Sequence, residues 1–173
     1  GPLAGPVMAA AVILPKTFIL PGLNDSKKLG EPARLELEIG IKEQALAWAV
    51  SSCTAEEIDQ INILNASFLG MHRAIDQLSV VPEALLIDGN RFNRYQEIKH
   101  TCIVKGDSKY FSIAAASILA KTHRDEIMEK AAIDHPGYGW ERNAGYPTLQ
   151  HRKAILENGL TILHRKTFKV EFK

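Results

Sequence analysis

The sequence predicts an α/β protein in which strands alternate with helices around a central sheet. Three observations predict it. Apolar runs near 7–14, 45–54, 83–88 and 97–104 have strand length and stop at turn-forming residues. Longer segments with helical periodicity lie between or after them. The 173 residues, 46% hydrophobic and 24% charged, are enough for one domain with a real core and too few to expect two.

Val7 to Leu14 is a continuous Val/Ala/Ile/Leu run closed by Pro15 and predicts a buried strand. "GLNDSKKLGEPARLE" is a polar turn region leading into a helix over 33–44, with Pro32 suited to its first turn. "ALAWAVSSCT" predicts a second strand. In "AEEIDQINILNASFLGMHRAIDQLS" the residues Ile58, Ile61, Leu64, Phe68, Met71, Ile75 and Leu78 recur at three- and four-residue steps, predicting one helix with a single apolar stripe. Thr54, three residues before Glu57, predicts a capping box at its start. "EALLIDGN" predicts a short buried strand ending at Asp88-Gly89, and "EIKHTCIVKGD" predicts another. A helix rich in Ala, Ser and Ile then runs to about 133, followed by the aromatic loop "DHPGYGWERNAGYPT", a helix near 148–158 and the basic tail "HRKTFKVEFK". The whole predicts one domain over 1–173, with a core at 1–133 and a C-terminal loop, helix and tail at 134–173.

Composition excludes several classes. A net charge of +1 gives no global attraction to nucleic acid or membrane, so any basic surface must be local. Cys53 and Cys102 lack CxxC spacing, which predicts reduced thiols in a cytoplasmic protein, not a disulfide framework or zinc site. The apolar 7–14 run has no charged lead and is too short to span a bilayer, so no membrane association is expected.

Two carboxylates stand out. Asp88 ends an apolar strand and precedes Gly89, which allows a sharp turn; side chains at such strand ends project into α/β crevices. A turn-forming Asp-Gly explains the pair equally well. Asp107 precedes a helix, where it or Ser108 could act as N-cap, leaving the other for a second task. Lys105 and Lys109 flank that pair. Two acids with lysines, drawn from a strand end and a helix start, suggest metal-assisted phosphate chemistry with hard oxygen ligands. Two are too few for a complete two-metal site. Glu56, Glu57, Asp59, Asp125 and Glu129 fall on helix faces and are read as solvated or paired.

The segments "GPLAGPVMAAAVILP", "LNDSKKL", "EIDQINILNASFLGMHRAI", "LIDGN", "KGDSKYFSIAAASILAKTHRDEIM" and "PGYGWERNAGYPTLQH", with the closing "HRKTF", occur in the order found in ribonuclease HII. The chain therefore resembles that family over almost its whole length. The resemblance implies a ribonuclease-H-like fold, a central mixed sheet flanked by helices with a C-terminal helical segment. It also implies a Mg²⁺- or Mn²⁺-dependent endonuclease that cuts the RNA strand of RNA–DNA hybrids and nicks duplex DNA at embedded ribonucleotides. A monomeric cytoplasmic protein is expected.

Carried onto this chain, the resemblance makes Asp88 and Asp107 two of the family's four metal-binding catalytic acids. Tyr146 matches the tyrosine that stacks on the sugar beside the ribonucleotide. Asn24, Ser26, Lys27, Lys105, Ser108 and Lys109 occupy places that contact phosphates or support the acids. Gly1 matches the last glycine of a Gly-Arg-Gly whose backbone reads the ribose 2′-hydroxyl. The family carries Asp-Glu-Ala-Gly-Arg on a strand just ahead of this glycine. Two acids and the central strand bearing them are thus expected before Gly1, and residues 1–173 alone are expected to cleave poorly. Thr167 stands where the family usually has Ser.

His123 and Arg124 are read as solvent-exposed, and Trp140 and Arg142 either touch nucleic acid or pack on the last helix. Ala114, Ala115, Ala116 and Ser117 are expected to let their helix press closely on the sheet. One rival reading is a nucleic-acid-binding fragment without catalysis. Another is a phosphotransfer domain with Asp88 as phosphoacceptor, which leaves Asp107 and Tyr146 unexplained.

Overall fold

The computed structural model describes residues 1–23 and 29–171. Strand β1 (Val7–Ile13) forms on the predicted apolar run. It is half-buried along most of its length and only Ala9 is closed to solvent. Ala10 and Val12 pack on one cluster while Ala11 packs on another, so both faces carry apolar contacts and no polar alternation is needed. Strand β2 (Ala47–Cys53) pairs with β1 and buries every second residue from Ala47 to Cys53. Helix α1 (Glu31–Gln44) has Pro32 in its first turn and buries Leu37 and Ile41 one turn apart.

Helix α2 (Ala55–Asp76) starts with the predicted capping box: the Thr54 N–H donates to Glu57 Oε2 at 2.8 Å and the Glu57 N–H donates to Thr54 Oγ1 at 3.2 Å. The expected single apolar stripe is corrected. Asn62 (φ 66°, ψ 164°) interrupts the helix, and its Oδ1 accepts from the N–H groups of Leu64 at 3.0 Å and Asn65 at 3.1 Å. Asn62 is therefore an N-cap that restarts the helix. The restart rotates the pattern, so Leu64 is 45% exposed while Ala66, Phe68, Ala74 and Ile75 are buried.

Strand β3 (Ala84–Asp88) runs parallel to β4 (Lys99–Ile103), with Ala84 opposite Lys99 and Asp88 opposite Ile103. The expectation that β3 is buried holds on one face only: Leu85 and Ile87 are inside and Leu86 is outside. The connection between them carries Phe92, Tyr95 and Ile98 into the core beneath. Helix α3 (Phe111–Asp134) is followed by the short α4 (Trp140–Asn143) inside the aromatic loop and by α5 (Leu149–Asn158). Thr148 caps α5 through its side chain, which accepts from the His151 N–H.

The contacts divide the chain into two compact units. One comprises Gly1–Met8, Ser52–Ser67 and His123–Lys173, and its core holds Leu3, Ala4, Met128, Tyr138, Trp140 and Ile155. The other comprises Ala9–Ser51 and Phe68–Thr122. There Ala114, Ala115, Ile118 and Leu119 of α3 pack with Leu37 and Ile41 of α1, Phe18 and Leu23. Burying each such large aliphatic side chain contributes about 1.5–3 kcal/mol. Ala114 and Ala115 are the small residues that face this core; Ala116 is half-buried and Ser117 exposed, a correction to the expected run of four. No described helix is long and apolar enough to cross a membrane.

Asn62→Ala removes the cap and is expected to destabilise the protein by about 1 kcal/mol. Asn62→Gly relieves the positive-φ strain, so its loss should be no more than a few tenths of a kcal/mol. Urea midpoints of the two variants check the difference; equal losses would remove the capping role.

Candidate functional site

Asp88 is the last residue of β3 and lies on its open face. Its Oδ1 accepts a hydrogen bond from the Gly106 N–H at 2.9 Å. Gly106 begins a single 3₁₀ turn, Gly106–Ser108, entered from Lys105 in the left-handed conformation (φ 55°, ψ 43°). The strand end and the turn that carries Asp107 are thereby fastened together. Beyond Asp88, Gly89 (φ 117°) donates its N–H to Ile103 O at 3.0 Å, carrying the ladder past the strand end.

Gly106 permits this approach. A Cβ there would lie 2.5 Å from Ile113 Cδ1 and 3.5 Å from Asp88 Oδ1. Asp107 is 5% exposed and its Oδ1 is out of contact with solvent, whereas Asp88 is exposed. One carboxylate faces water and the next is nearly withdrawn from it. The reading of Asp107 or Ser108 as N-cap of the following helix is corrected, because α3 begins only at Phe111. Ser108 Oγ instead donates to Lys105 O at 2.8 Å.

Lys105, Ser108 and Lys109 are exposed around this pair. Lys109 Nζ folds back to donate to Val104 O at 3.1 Å. An ammonium has three donors, so it keeps capacity for an anion. Asn24, Ser26 and Lys27 lie outside the described residues. Among the described residues no group of three or more His, Cys, Asp or Glu side chains could hold a metal ion. The strand end and the turn fastened to it carry two carboxylates, Asp88 and Asp107. That suits Mg²⁺, which is commonly held by one or two carboxylates with waters and substrate phosphates completing the shell.

Gly1 and Tyr146 belong to the other unit. Gly1 is exposed at the head of segment 1–6. Leu3 and Ala4 direct their N–H groups to Gly145 O at 2.7 and 3.3 Å, and Arg165 N–H donates to Leu3 O at 2.8 Å. Tyr146 is 49% exposed, so its ring is presented to solvent. The Arg124 guanidinium carbon lies 5.7 Å from the centroid of that ring.

Arg124 corrects its reading as a solvated side chain. It donates to Pro6 O at 3.2 Å, Ala144 O at 2.9 Å and Ala4 O at 3.1 Å. Arg165 beside it donates to Gly5 O at 3.0 Å and Pro6 O at 3.2 Å. Burial, reinforced by Arg124, pushes Arg165 down to about 10, so it stays charged at neutral pH. Both arginines brace carbonyls of residues 4–6, and Arg124 also holds the Ala144 carbonyl two residues before Tyr146. Trp140 is 1% exposed and its Nε1–H donates to His151 Nε2 of α5 at 3.0 Å, so packing on the last helix accounts for it; Arg142 is exposed.

Thr167 keeps the hydroxyl that a Ser would supply: its Oγ1 donates to Asp59 Oδ1 at 2.6 Å, beside the Lys166 N–H at 2.8 Å and its own N–H at 2.9 Å. Burial raises the Asp59 carboxyl, but these three hydrogen bonds and the Lys166 charge outweigh it and hold the group below its usual range. Sequence reasoning missed Arg124, Arg165, His151 and His164 as parts of a site. No spacing rule joins residues so far apart. The one available signal was a polar "HR" at 164–165 within a tract that also supplies core residues.

Gly106→Ala should cost about 1–3 kcal/mol of stability through overpacking against Ile113. Pairing it with Ile113→Val should recover part of that loss; urea denaturation of the single and double variants measures both. The histidines give a pH test. Burial pushes His151 down, and burial with the His151 and His135 charges takes His164 to about 4. The unfolded chain protonates its histidines near the ordinary value of about 6.5. Their contribution is fully present above that pH and is lost as pH falls towards the folded value. The melting temperature should therefore fall as the pH drops from about 6.5 to about 5. His151→Asn/His164→Gln should flatten that slope.

The family model described as Ribonuclease HII matches residues 1–173. A ribonuclease HII of Bacteroides thetaiotaomicron is 61% identical over 168 residues, covering 97% of this chain and 84% of that one. One from Parabacteroides distasonis gives the same identity and coverage. Among solved structures, ribonuclease H2 from Pyrococcus horikoshii superposes with a TM-score of 0.83 at 23% identity, covering 98% of this chain and 90% of that chain. RNase HII in the PCNA complex from Archaeoglobus fulgidus gives 0.78 at 23% identity, covering 100% and 92%. These likenesses establish the ribonuclease-H-like fold. With the family model spanning every residue, the chain belongs to the ribonuclease HII family.

Proposed function

We propose that this protein is a ribonuclease H-type hydrolase that cleaves the RNA strand of RNA–DNA hybrids and nicks duplex DNA at embedded ribonucleotides, working as a cytoplasmic monomer with Mg²⁺ or Mn²⁺. The observation that carries the reading is the Asp88–Gly106 hydrogen bond of 2.9 Å, which fastens the strand-end carboxylate to the turn bearing Asp107. Two acids with unequal access to solvent, flanked by Lys105, Ser108 and Lys109, suit a phosphodiester better than a neutral substrate.

Asp88 and Asp107 would hold the cation, which when bound supplies positive charge for the developing phosphate charge. The rest falls to the chain. Hydrolysis joins a water oxygen to phosphorus as the bond to the 3′-oxygen breaks, so a site must tolerate negative charge and orient the backbone. Lys105 and Lys109 provide local positive charge on a chain whose net charge is only +1. Tyr146, half-exposed, offers a ring face to the sugar beside the ribonucleotide, and Gly1 offers backbone to the 2′-hydroxyl, the group that distinguishes RNA from DNA. Asn24, Ser26 and Lys27 are assigned phosphate contacts by family pattern alone.

Binding without cleavage is a second reading, favoured because no three His, Cys, Asp or Glu side chains among the described residues could together hold a metal ion. The two readings separate in one experiment. The polypeptide 1–173 and the same chain preceded by Asp-Glu-Ala-Gly-Arg are assayed on a duplex carrying one ribonucleotide, with Mg²⁺ and with Mn²⁺. The longer chain should cleave it, and 1–173 should be slower by at least about 100-fold, the lower range for deleting one group that stabilises the transition-state charge. In the longer chain Asp88→Asn and Asp107→Asn should each lose a comparable factor while still binding the duplex. Undiminished cleavage by both variants would end the catalytic assignment.

A further inference from the structure

Three buried rings meet behind the tyrosine loop. Trp140, His151 and His164 are each no more than 1% exposed, and Tyr138 stacks on the indole at 5.0 Å. Their hydrogen bonds determine where the protons sit. The Thr161 N–H donates to His164 Nδ1 at 2.8 Å, so that nitrogen is an acceptor. A neutral imidazole then carries its proton on Nε2, which lies 3.2 Å from His151 Nε2. Trp140 Nε1–H, a donor only, also points at His151 Nε2 from 3.0 Å. His151 Nε2 must accept, so its proton is on Nδ1, 2.9 Å from the Tyr146 carbonyl oxygen. The two N–H groups share the single lone pair of His151 Nε2, and every other pair of neutral tautomers sets an N–H against an N–H or a lone pair against the Tyr146 carbonyl.

We propose that His151 and His164 are positioning residues for ribonucleotide recognition: a neutral, tautomer-locked pair that sets Tyr146. His151 does so by donating Nδ1–H to the Tyr146 carbonyl, and His164 by holding His151 in the tautomer that can donate. The proposal rests on the substrate-stacking role given to Tyr146. That carbonyl also accepts from Thr148 N–H at 2.8 Å, and the Tyr146 N–H donates to Asn143 O at 2.8 Å. Asn143 in turn donates to Tyr138 O at 2.8 Å, which returns the chain of bonds to the buried rings. Tyr146 is 49% exposed with the Arg124 guanidinium 5.7 Å from its ring centroid, and the hydrogen bonds to its backbone set where that ring starts.

The groups facing the pair are consistent with neutrality. His135 lies against Trp140 at 5.7 Å, and its charge, like that of His151, disfavours a proton on His164. A proton added to His151 would go to Nε2, setting three N–H groups against one another. Burial holds both rings below the ordinary histidine range.

The test uses duplex binding without divalent metal, so that cleavage plays no part. Fluorescence anisotropy compares a labelled DNA duplex holding one ribonucleotide with a matched all-DNA duplex. His151→Gln keeps a polar group near the Nε2 position and loses the Nδ1 donor; His151→Asn keeps a donor near the Nδ1 position. Stacking is worth roughly 5- to 150-fold in affinity, so Tyr146→Ala should lose a factor in that range on the ribonucleotide duplex. His151→Gln should lose about 5-fold or more there, His151→Asn about 2-fold at most, and the all-DNA duplex should respond to neither. Equal losses for Asn and Gln, or equal losses on both duplexes, overturn the positioning role. A silent Tyr146→Ala overturns the tyrosine reading instead, and the proposal with it. Should the variants not fold, imidazole ¹⁵N spectra of the unmutated chain at neutral pH decide. Protonated Nδ1 in His151 and protonated Nε2 in His164 are expected; the reverse tautomers or an imidazolium refute the pair.

Discussion

The candidate site depends on one short-range constraint, the hydrogen bond from the Gly106 N–H to the Asp88 carboxylate. It joins two segments that approach each other only because β3 and β4 run parallel, with Asp88 opposite Ile103. Parallel pairing brings both strand ends to the same edge, and the chain leaving β4 turns at once through Lys105 in a left-handed conformation. A side chain at Gly106 would collide with Ile113. The sequence Lys-Gly-Asp-Ser-Lys is thus a packing solution first: Gly makes the approach possible, and the acid after it is carried into a sheltered place. A carboxylate there sits where few water molecules compete with a ligand, which strengthens any electrostatic contact it makes.

The tyrosine loop is built on a different principle. Its backbone carbonyls are held by charged and aromatic donors that are themselves withdrawn from water. Arg124 and Arg165 spread five hydrogen bonds over Ala4, Gly5, Pro6 and Ala144, while the histidine pair reaches Tyr146. A buried guanidinium without such acceptors would be strongly destabilising; with them it fixes several chain segments at once. Polar networks of this kind specify one arrangement, because any slip leaves a buried group unsatisfied. A half-exposed ring on such a backbone gains a defined starting point from that rigidity and not from extra apolar packing.

Asn62 shows where periodicity misleads. The spacing from Ile58 to Leu78 fits one continuous helix, and every residue in it is compatible with one. Asn62 nevertheless bonds the N–H groups of Leu64 and Asn65, competing with the helical ladder and rotating the second half of α2 relative to the first. Asn was the visible cue, since its side chain can cap as well as continue a helix. The apolar spacing outweighs that cue along the sequence, but the folded chain obeys the cap.

Much was determined by the sequence itself. Apolar runs, turn residues and caps placed β1, α1, β2, β3, β4, α3 and α5 close to where they lie, because these depend on local stereochemistry and on which face is apolar. The ordered motifs identified the family and drew attention to Asp88, Asp107 and Tyr146. Tertiary structure decided the rest. It moved Asp107 from a helix cap to a tight turn, withdrew Arg124 from solvent, and joined Trp140, His151 and His164 into one hydrogen-bonded cluster. Hydrogen-bond partners far apart in the chain leave no periodic trace, and burial turns an ordinary polar side chain into a determinant of geometry only after the chain has folded around it.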